Sequence, residues 1–172
     1  KFIVDDYGIY AYKKNNFARN VTIDGCAFES AAGDTSGYGI AVRHVYNFTV
    51  KNTTGSGLFD FFYAGGAVDR LNVENVTVTD TENAFFMAYG TKLNFTNVTT
   101  SNVDYGISIK NQTNNGIATI TDCNLSGGTA VLLIVANPAN AYNLIFKGNT
   151  LVDSEDWLVV ADKDGNIITG EE

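Results

Sequence analysis

The chain has 172 residues, of which 45% are hydrophobic and 17% charged, with a net charge of −8 and a pI near 4.5. This composition excludes a disordered tail, and the length suits one domain with a substantial buried core. The acidic balance speaks against nucleic acid, whose phosphates require a Lys/Arg surface, and against an anionic membrane surface. No apolar run approaches the ~20 residues of a transmembrane helix, so no direct membrane insertion is expected.

In chain order, Phe2-Ile3-Val4 already reads as a strand directly after Lys1. The expectation is a single domain, 1–172, cut from a longer or processed protein with coils or modules upstream. Two segments then alternate along the chain. One runs YGIYAY from Tyr7, YGIAVR from Tyr38, DFFYAG from Asp60, AFFMAY from Ala84, YGISIK from Tyr105, AVLLIV from Ala130 and WLVVAD from Trp157. The other runs VTIDGCAF from Val21, FTVKNTTG from Phe48, LNVENVTV from Leu71, LNFTNVTT from Leu93, ATITDCNL from Ala118 and LIFKGNTL from Leu144. Within each segment the apolar residues alternate with period 2, which predicts strands.

Aligning the second segment gives an apolar column of Ile23, Val50, Val73, Phe95, Ile120 and Phe146, at intervals of 27, 23, 22, 25 and 26 residues. Two positions on, the column reads Gly25, Asn52, Asn75, Asn97, Asp122 and Gly148. Gly, Asn and Asp tolerate the left-handed backbone of a tight bend, and stacked amides can bond to one another. The first segment aligns as Ile9, Ile40, Phe61, Phe85, Ile107, Val131 and Leu158, with Ala11, Val42, Tyr63, Met87, Ile109, Leu133 and Val160 as the next inward column. Two strand columns that recur every 21–31 residues mean that the chain returns to the same place once per coil. The predicted fold is all-β: a single-stranded parallel β-helix of about seven coils, each about 4.8 Å from the last. It is taken as right-handed, because crossovers between parallel strands favour that hand. A leucine-rich repeat would need helical segments, and a β-sandwich would lack column identity.

These VTIDGC, FTVKNT and LNFTNV rungs and the YGI strands resemble the right-handed parallel β-helix (pectate-lyase-like) superfamily over nearly the whole chain. The resemblance implies the fold and leaves function open among polysaccharide lyases, glycoside hydrolases, carbohydrate epimerases, tailspikes and surface adhesins. A lyase of this group would place carboxylates for Ca²⁺ beside an Arg or Lys base. The polygalacturonase-like hydrolases would carry NTD, DD, GHG and RIK motifs. Asp5-Asp6 precedes the first complete strand, His44 lacks flanking glycines, and YGISIKN only echoes the last motif, so the carry-over fails residue by residue. The weak catalytic candidates are Arg43, His44, Asp60 and Lys110. Asp162, Asp164 and Asn166 resemble part of a Ca²⁺ loop but read better as a turn, since the closing Glu is absent. No cofactor is expected.

Cys26 and Cys123 share a column four coils apart, about 19 Å, too far for a disulfide; two free, buried thiols are predicted. Sequons at Asn20, Asn47, Asn52, Asn75, Asn94, Asn97, Asn111 and Asn124 mostly coincide with the repeat and read as bend chemistry. The outward positions of the first segment project as Tyr10, Ala41, Phe62, Phe86, Ser108, Leu132 and Val159, with a second row of Tyr12, Arg43, Ala64, Ala88, Lys110, Ile134 and Ala161. An apolar stripe on an outer face marks a covering segment, a partner or a ligand. The binding candidates are Tyr10, Tyr12, Phe62, Phe86 and Tyr89.

The expected function is therefore a non-catalytic extracellular or cell-surface module, bacterial or archaeal and adhesin-like, presenting a rigid face to a polysaccharide or a surface protein. Self-association through the stripe is a further reading of the same feature. The alternatives are a fragment of a polysaccharide lyase or glycoside hydrolase, and a purely structural spacer.

Overall fold

The structure, a computed structural model, describes residues 1–11, 18–33, 35–135, 142–162, 164 and 166–171. All its elements are strands: β1 (Phe2–Val4), β2 (Tyr7–Ala11), β3 (Ala18–Asp24), β4 (Ala27–Ser30), β5 (Tyr38–Val42), β6 (Val45–Ser56), β7 (Asp60–Thr121), β8 (Asn124–Val135), β9 (Tyr142–Lys147), β10 (Thr150–Ala161) and β11 (Ile167–Glu171). β7 continues unbroken through successive coils, turning at corners without losing its pairing. Pairing between coils is parallel: β1 with β4, β2 with β5, β3 and β4 with β6, β5 and β6 with β7, β7 with β8 and β9, and β8 with β10. The chain is thus a parallel β-solenoid, as its repeats predict. It makes about five turns rather than seven. The first rung, β1 to β3, is paired on one side only, and the last is followed by antiparallel β11 instead of another parallel coil.

The corners carry the left-handed residues that the sequence placed there. Asn52, Asn75, Asn97 and Asp122 have φ of 50°, 54°, 52° and 55°, and Gly25 and Gly148 have 65° and 69°. A second corner uses Asn20, Asn47 and Arg70, and a third uses Gly57, Asp80, Asn102 and Asp153. Side-chain amides link one coil to the one before: Asn75 donates to Asn52 at 3.1 Å and Asn97 to Asn75 at 2.7 Å. Asn52 donates to Asp24 at 2.8 Å, and a carboxylate has no proton to pass on, so the ladder ends there. The Asn52 amide, followed by Lys51 at 3.2 Å, holds the Asp24 carboxyl below the usual carboxylate range. At the other end Gly148 takes the same positive φ, which glycine adopts at no steric cost. These Asn side chains are exposed. The ladder works in water, through backbone conformation as much as through its bonds.

One continuous core fills the coil interior. Phe28, Phe61, Phe85 and Phe95 meet edge to face, with centroids 5.1 to 6.1 Å apart, and Phe62 meets Phe48 at 5.8 Å. Cys26 and Cys123 are free thiols, Cys123 buried and Cys26 only half-buried. Burial pushes the Cys123 thiol up from its ordinary value.

The first segment departs from strict alternation in two coils. The register pairs Ile40 with Phe62 and Ala41 with Tyr63, and it pairs Ile107 with Leu132 and Ser108 with Leu133. Phe62 and Leu132 are therefore core residues, each 0% exposed, and not outward ones. Ala64 and Ile134 likewise fall on the inner column, beside Val42 and Ile109. The cause is a corner at the start of each strand. There Phe61 and Phe62 both turn inward, so an alternation counted from Asp60 slips by one residue.

Replacing Asn75 by Ala should destabilise the rod by about 1–2 kcal/mol, through left-handed strain on a Cβ-bearing residue and the loss of two amide bonds. Asn75→Gly should cost clearly less than Asn75→Ala, since it keeps the backbone conformation. Urea unfolding of the three proteins checks this; equal losses for Ala and Gly would mean that φ at the corner does not matter.

Candidate functional site

The outer face of β2, β5, three stretches of β7 (60–64, 83–90 and 105–110), β8 and β10 holds the groups best placed for chemistry. Its first row runs through residues paired from one coil to the next. Tyr7 pairs with Tyr38, Tyr38 with Asp60, Tyr105 with Ala130, and Ala130 with Asp156. Asn83 stands beside Asp60, its N–H bonding to the Phe59 carbonyl at 2.9 Å. Three of these strands open with Tyr-Gly-Ile, and the glycine is dictated by the corner. A Cβ on Gly8, Gly39 or Gly106 would lie 2.6 to 2.8 Å from a backbone oxygen of the next coil. The second row carries Tyr10, Ala41 and Tyr63, in register, then Phe86, stacked on Tyr63; in the later coils Ser108, Leu133 and Val159 continue it.

The rings form an unbroken strip along the rod. Tyr10 lies 4.7 Å from Tyr7, Tyr7 stacks on Tyr38 at 5.3 Å, Tyr38 meets Tyr63 edge-on at 5.3 Å, and Tyr63 stacks on Phe86 at 5.2 Å. The Lys110 ammonium closes the strip, 5.8 Å from the Phe86 centroid. Tyr7 and Tyr10 are 50% and 56% exposed.

Asp60 lies beside these rings. It is 2% exposed, and its Oδ1 has no hydrogen-bond partner. Burial raises its pKa to about 7; the Asn83 amide, which donates to the carboxyl, opposes the shift, and the charge of Glu82 adds to it. The Tyr38 hydroxyl is in turn raised, by burial first and by Asp60 second. Ser108, in the second row, is also buried, and its Oγ has no partner. Round the adjoining corner Asp80, Glu82 and Asp104 line a hollow of about 190 Å³, where Asn102 donates to Asp80 at 2.7 Å. Burial and then Asp104 raise the Glu82 carboxyl. Among the described residues no group of three or more His, Cys, Asp or Glu side chains is arranged to hold a metal ion.

The residues singled out in the sequence divide as follows. Tyr10 and Phe86 stand on the strip, with Lys110 at its end. Phe62 is inside, and Tyr63 takes its place outside. Tyr89 is 43% exposed and stands in no ring contact described for the strip. Tyr12 lies outside the described residues. Arg43 follows Val42 on the row that leads to Lys110, so the two cations are separated by three coils, roughly 14 Å. The Nδ1 of His44 accepts the Ala67 N–H at 3.2 Å, which gives that ring a backbone-bracing role. Asp162 accepts from the N–H groups of Asp164 and Asn166 and from the Asn166 amide, each at 2.9 Å, so its carboxyl closes the turn read from the sequence. Sequence reasoning left Tyr7, Tyr38 and Asn83 unassigned. The recurring Tyr before Gly-Ile was a usable signal for the first two.

No protein-family model matches this chain, and no curated protein and no solved structure is significantly similar to it. The class that the fold defines is an all-β parallel solenoid.

The Asp60 carboxyl is bound as its neutral form in the fold, so its contribution to stability is full below about pH 4 and is lost as pH rises through about 7. Asp60→Asn should therefore leave stability at pH 4 nearly unchanged and raise it at pH 8, by up to the order of 4 kcal/mol. Urea midpoints of the two proteins at both pH values measure this. The same difference at pH 4 and pH 8 would show that Asp60 is not the titrating group.

Proposed function

We propose that this chain is a glycan-binding module displayed outside the cell, adhesin-like and non-catalytic, and a member of the pectate-lyase-like superfamily. The observation that carries the reading is the strip from Tyr10 to Phe86, one aromatic contact after another on a face of stacked coils. Sugar rings present C–H faces to aromatic rings and hydroxyls to the polar edges of Tyr, so a row of Tyr suits them better than aliphatic residues would. A solenoid holds such a row rigid, which lowers the ordering cost of binding a polymer. The low charge and the coil repeats support a displayed rod.

Asp60 favours a second reading, a fragment of a polysaccharide lyase or hydrolase, because a carboxyl raised to about 7 suits an acid catalyst. Binding is preferred for two reasons. The carboxyl is 2% exposed, and His44 and Lys110 are engaged elsewhere, with Ala67 and Phe86.

The test is affinity electrophoresis and calorimetry against a panel of soluble neutral and acidic polysaccharides, with Tyr10→Ala and Tyr63→Ala as variants. At least one polysaccharide should bind without being cleaved, and each variant should weaken it by about tenfold, the worth of one ring contact. A blank panel would leave the structural spacer. Chain cleavage lost in Asp60→Asn would establish the enzyme.

A further inference from the structure

The last coils carry an apolar patch on their outside that is separate from the core. Ala130, Leu133, Val159 and Ala161 are each at most 7% exposed, with Tyr105 packed against them. A groove of about 350 Å³ opens over Leu133, Val135, Val159 and Ala161. Its polar edges are Tyr105, Thr129, Lys110, Glu155 and Asp156.

The register fixes where the charges stand. Ile109, Ile134 and Val160 are in line, so Lys110 shares a row with Val135 and Ala161. Tyr105, Ala130 and Asp156 are in line on the opening row of the same strands. Lys110 and the Glu155–Asp156 pair therefore occupy opposite corners, separated by roughly 16 Å along the strands and 10 Å across the coils.

We propose that this groove binds an extended peptide segment in which an apolar side chain is flanked by a cationic and an anionic residue. The apolar side chain lies on Leu133 and Val159, the cation meets Glu155 and Asp156, and the anion meets Lys110. An aliphatic floor rewards an alkyl group, whereas a sugar would set hydroxyls against it without partners. Opposite charges at opposite corners select a ligand with both signs and fix its direction. Three extended residues and the reach of two charged side chains span the diagonal. The Tyr105 and Thr129 hydroxyls can bond to the peptide backbone. The proposal does not depend on the aromatic strip binding glycan, although Lys110 both ends the strip and lines the groove.

The test is amide-resolved NMR titration of the whole chain with the tripeptide Lys-Leu-Glu, and with Lys-Ser-Glu, Lys-Leu-Lys and cellohexaose as comparison probes. Lys-Leu-Glu should give saturable shifts confined to β8, β10 and the Tyr105–Lys110 stretch, and should bind at least fivefold tighter than Lys-Ser-Glu. The variant Lys110→Glu, at a half-buried site and judged folded by its amide spectrum, should weaken Lys-Leu-Glu by about tenfold and prefer Lys-Leu-Lys instead. Glu155→Lys should weaken Lys-Leu-Glu and Lys-Leu-Lys alike. Absence of saturable shifts, equal binding of Lys-Ser-Glu, tighter binding of cellohexaose in the groove, or an unchanged preference in Lys110→Glu would each overturn the proposal.

Discussion

Every coil of this protein turns on residues held at positive φ, and the rest of the structure follows from that constraint. A strand that must bend sharply and still present its N–H and C=O groups to the coils on both sides has few backbone solutions. Asn, Asp and Gly supply one, at φ between 50° and 69° along the corner from Gly25 to Gly148. Because the bend recurs at the same place in each coil, the amides of Asn52, Asn75 and Asn97 stack and bond. The bends set the register, and the register decides which side chains fill the interior. They also decide which side chains meet outside.

The outer face is a consequence of that register. Rings that are 23 to 31 residues apart in sequence become neighbours because successive coils superimpose them, as with Tyr7 and Tyr38 or Tyr63 and Phe86. The same superposition places Asp60 where water is scarce, which is why its proton is held so firmly. A buried carboxyl with an unpaired oxygen weakens the fold at neutral pH. Toward the last coils the face changes character, from rings to the aliphatic floor of Leu133 and Val159.

The solenoid was legible in the sequence because its signal is column identity, repeated six or seven times, and no single residue has to be read correctly. All six positions of the bend column adopt the left-handed conformation they were assigned. The face was legible only in part. Tyr10, Phe86 and Lys110 were placed outside, but Phe62 and Leu132 were set there by counting period 2 through a corner at which two successive residues turn inward. Hydrophobic neighbours such as Phe61-Phe62 or Val131-Leu132 carry no mark of which one is the inner residue of the strand. The Gly of Tyr-Gly-Ile does mark the corner in other coils, where the next coil's backbone leaves no room for a Cβ. In the sequence Asp60 reads only as one weak catalytic candidate among four. Its burial and its Asn83 partner arise from the coil that follows, and local sequence does not show them.

The claim on which the face depends is that Tyr63, not Phe62, stands beside Ala41 on the outside. Cysteine cross-linking tests it directly, in a chain whose own thiols are removed by Cys26→Ala and Cys123→Ala. Parallel neighbours about 4.8 Å apart with side chains on the same side can form a disulfide. The account predicts that Ala41→Cys with Tyr63→Cys closes on mild oxidation, while Ala41→Cys with Phe62→Cys stays reduced. Closure of the second pair and not the first would shift the register by one residue and dissolve the aromatic strip.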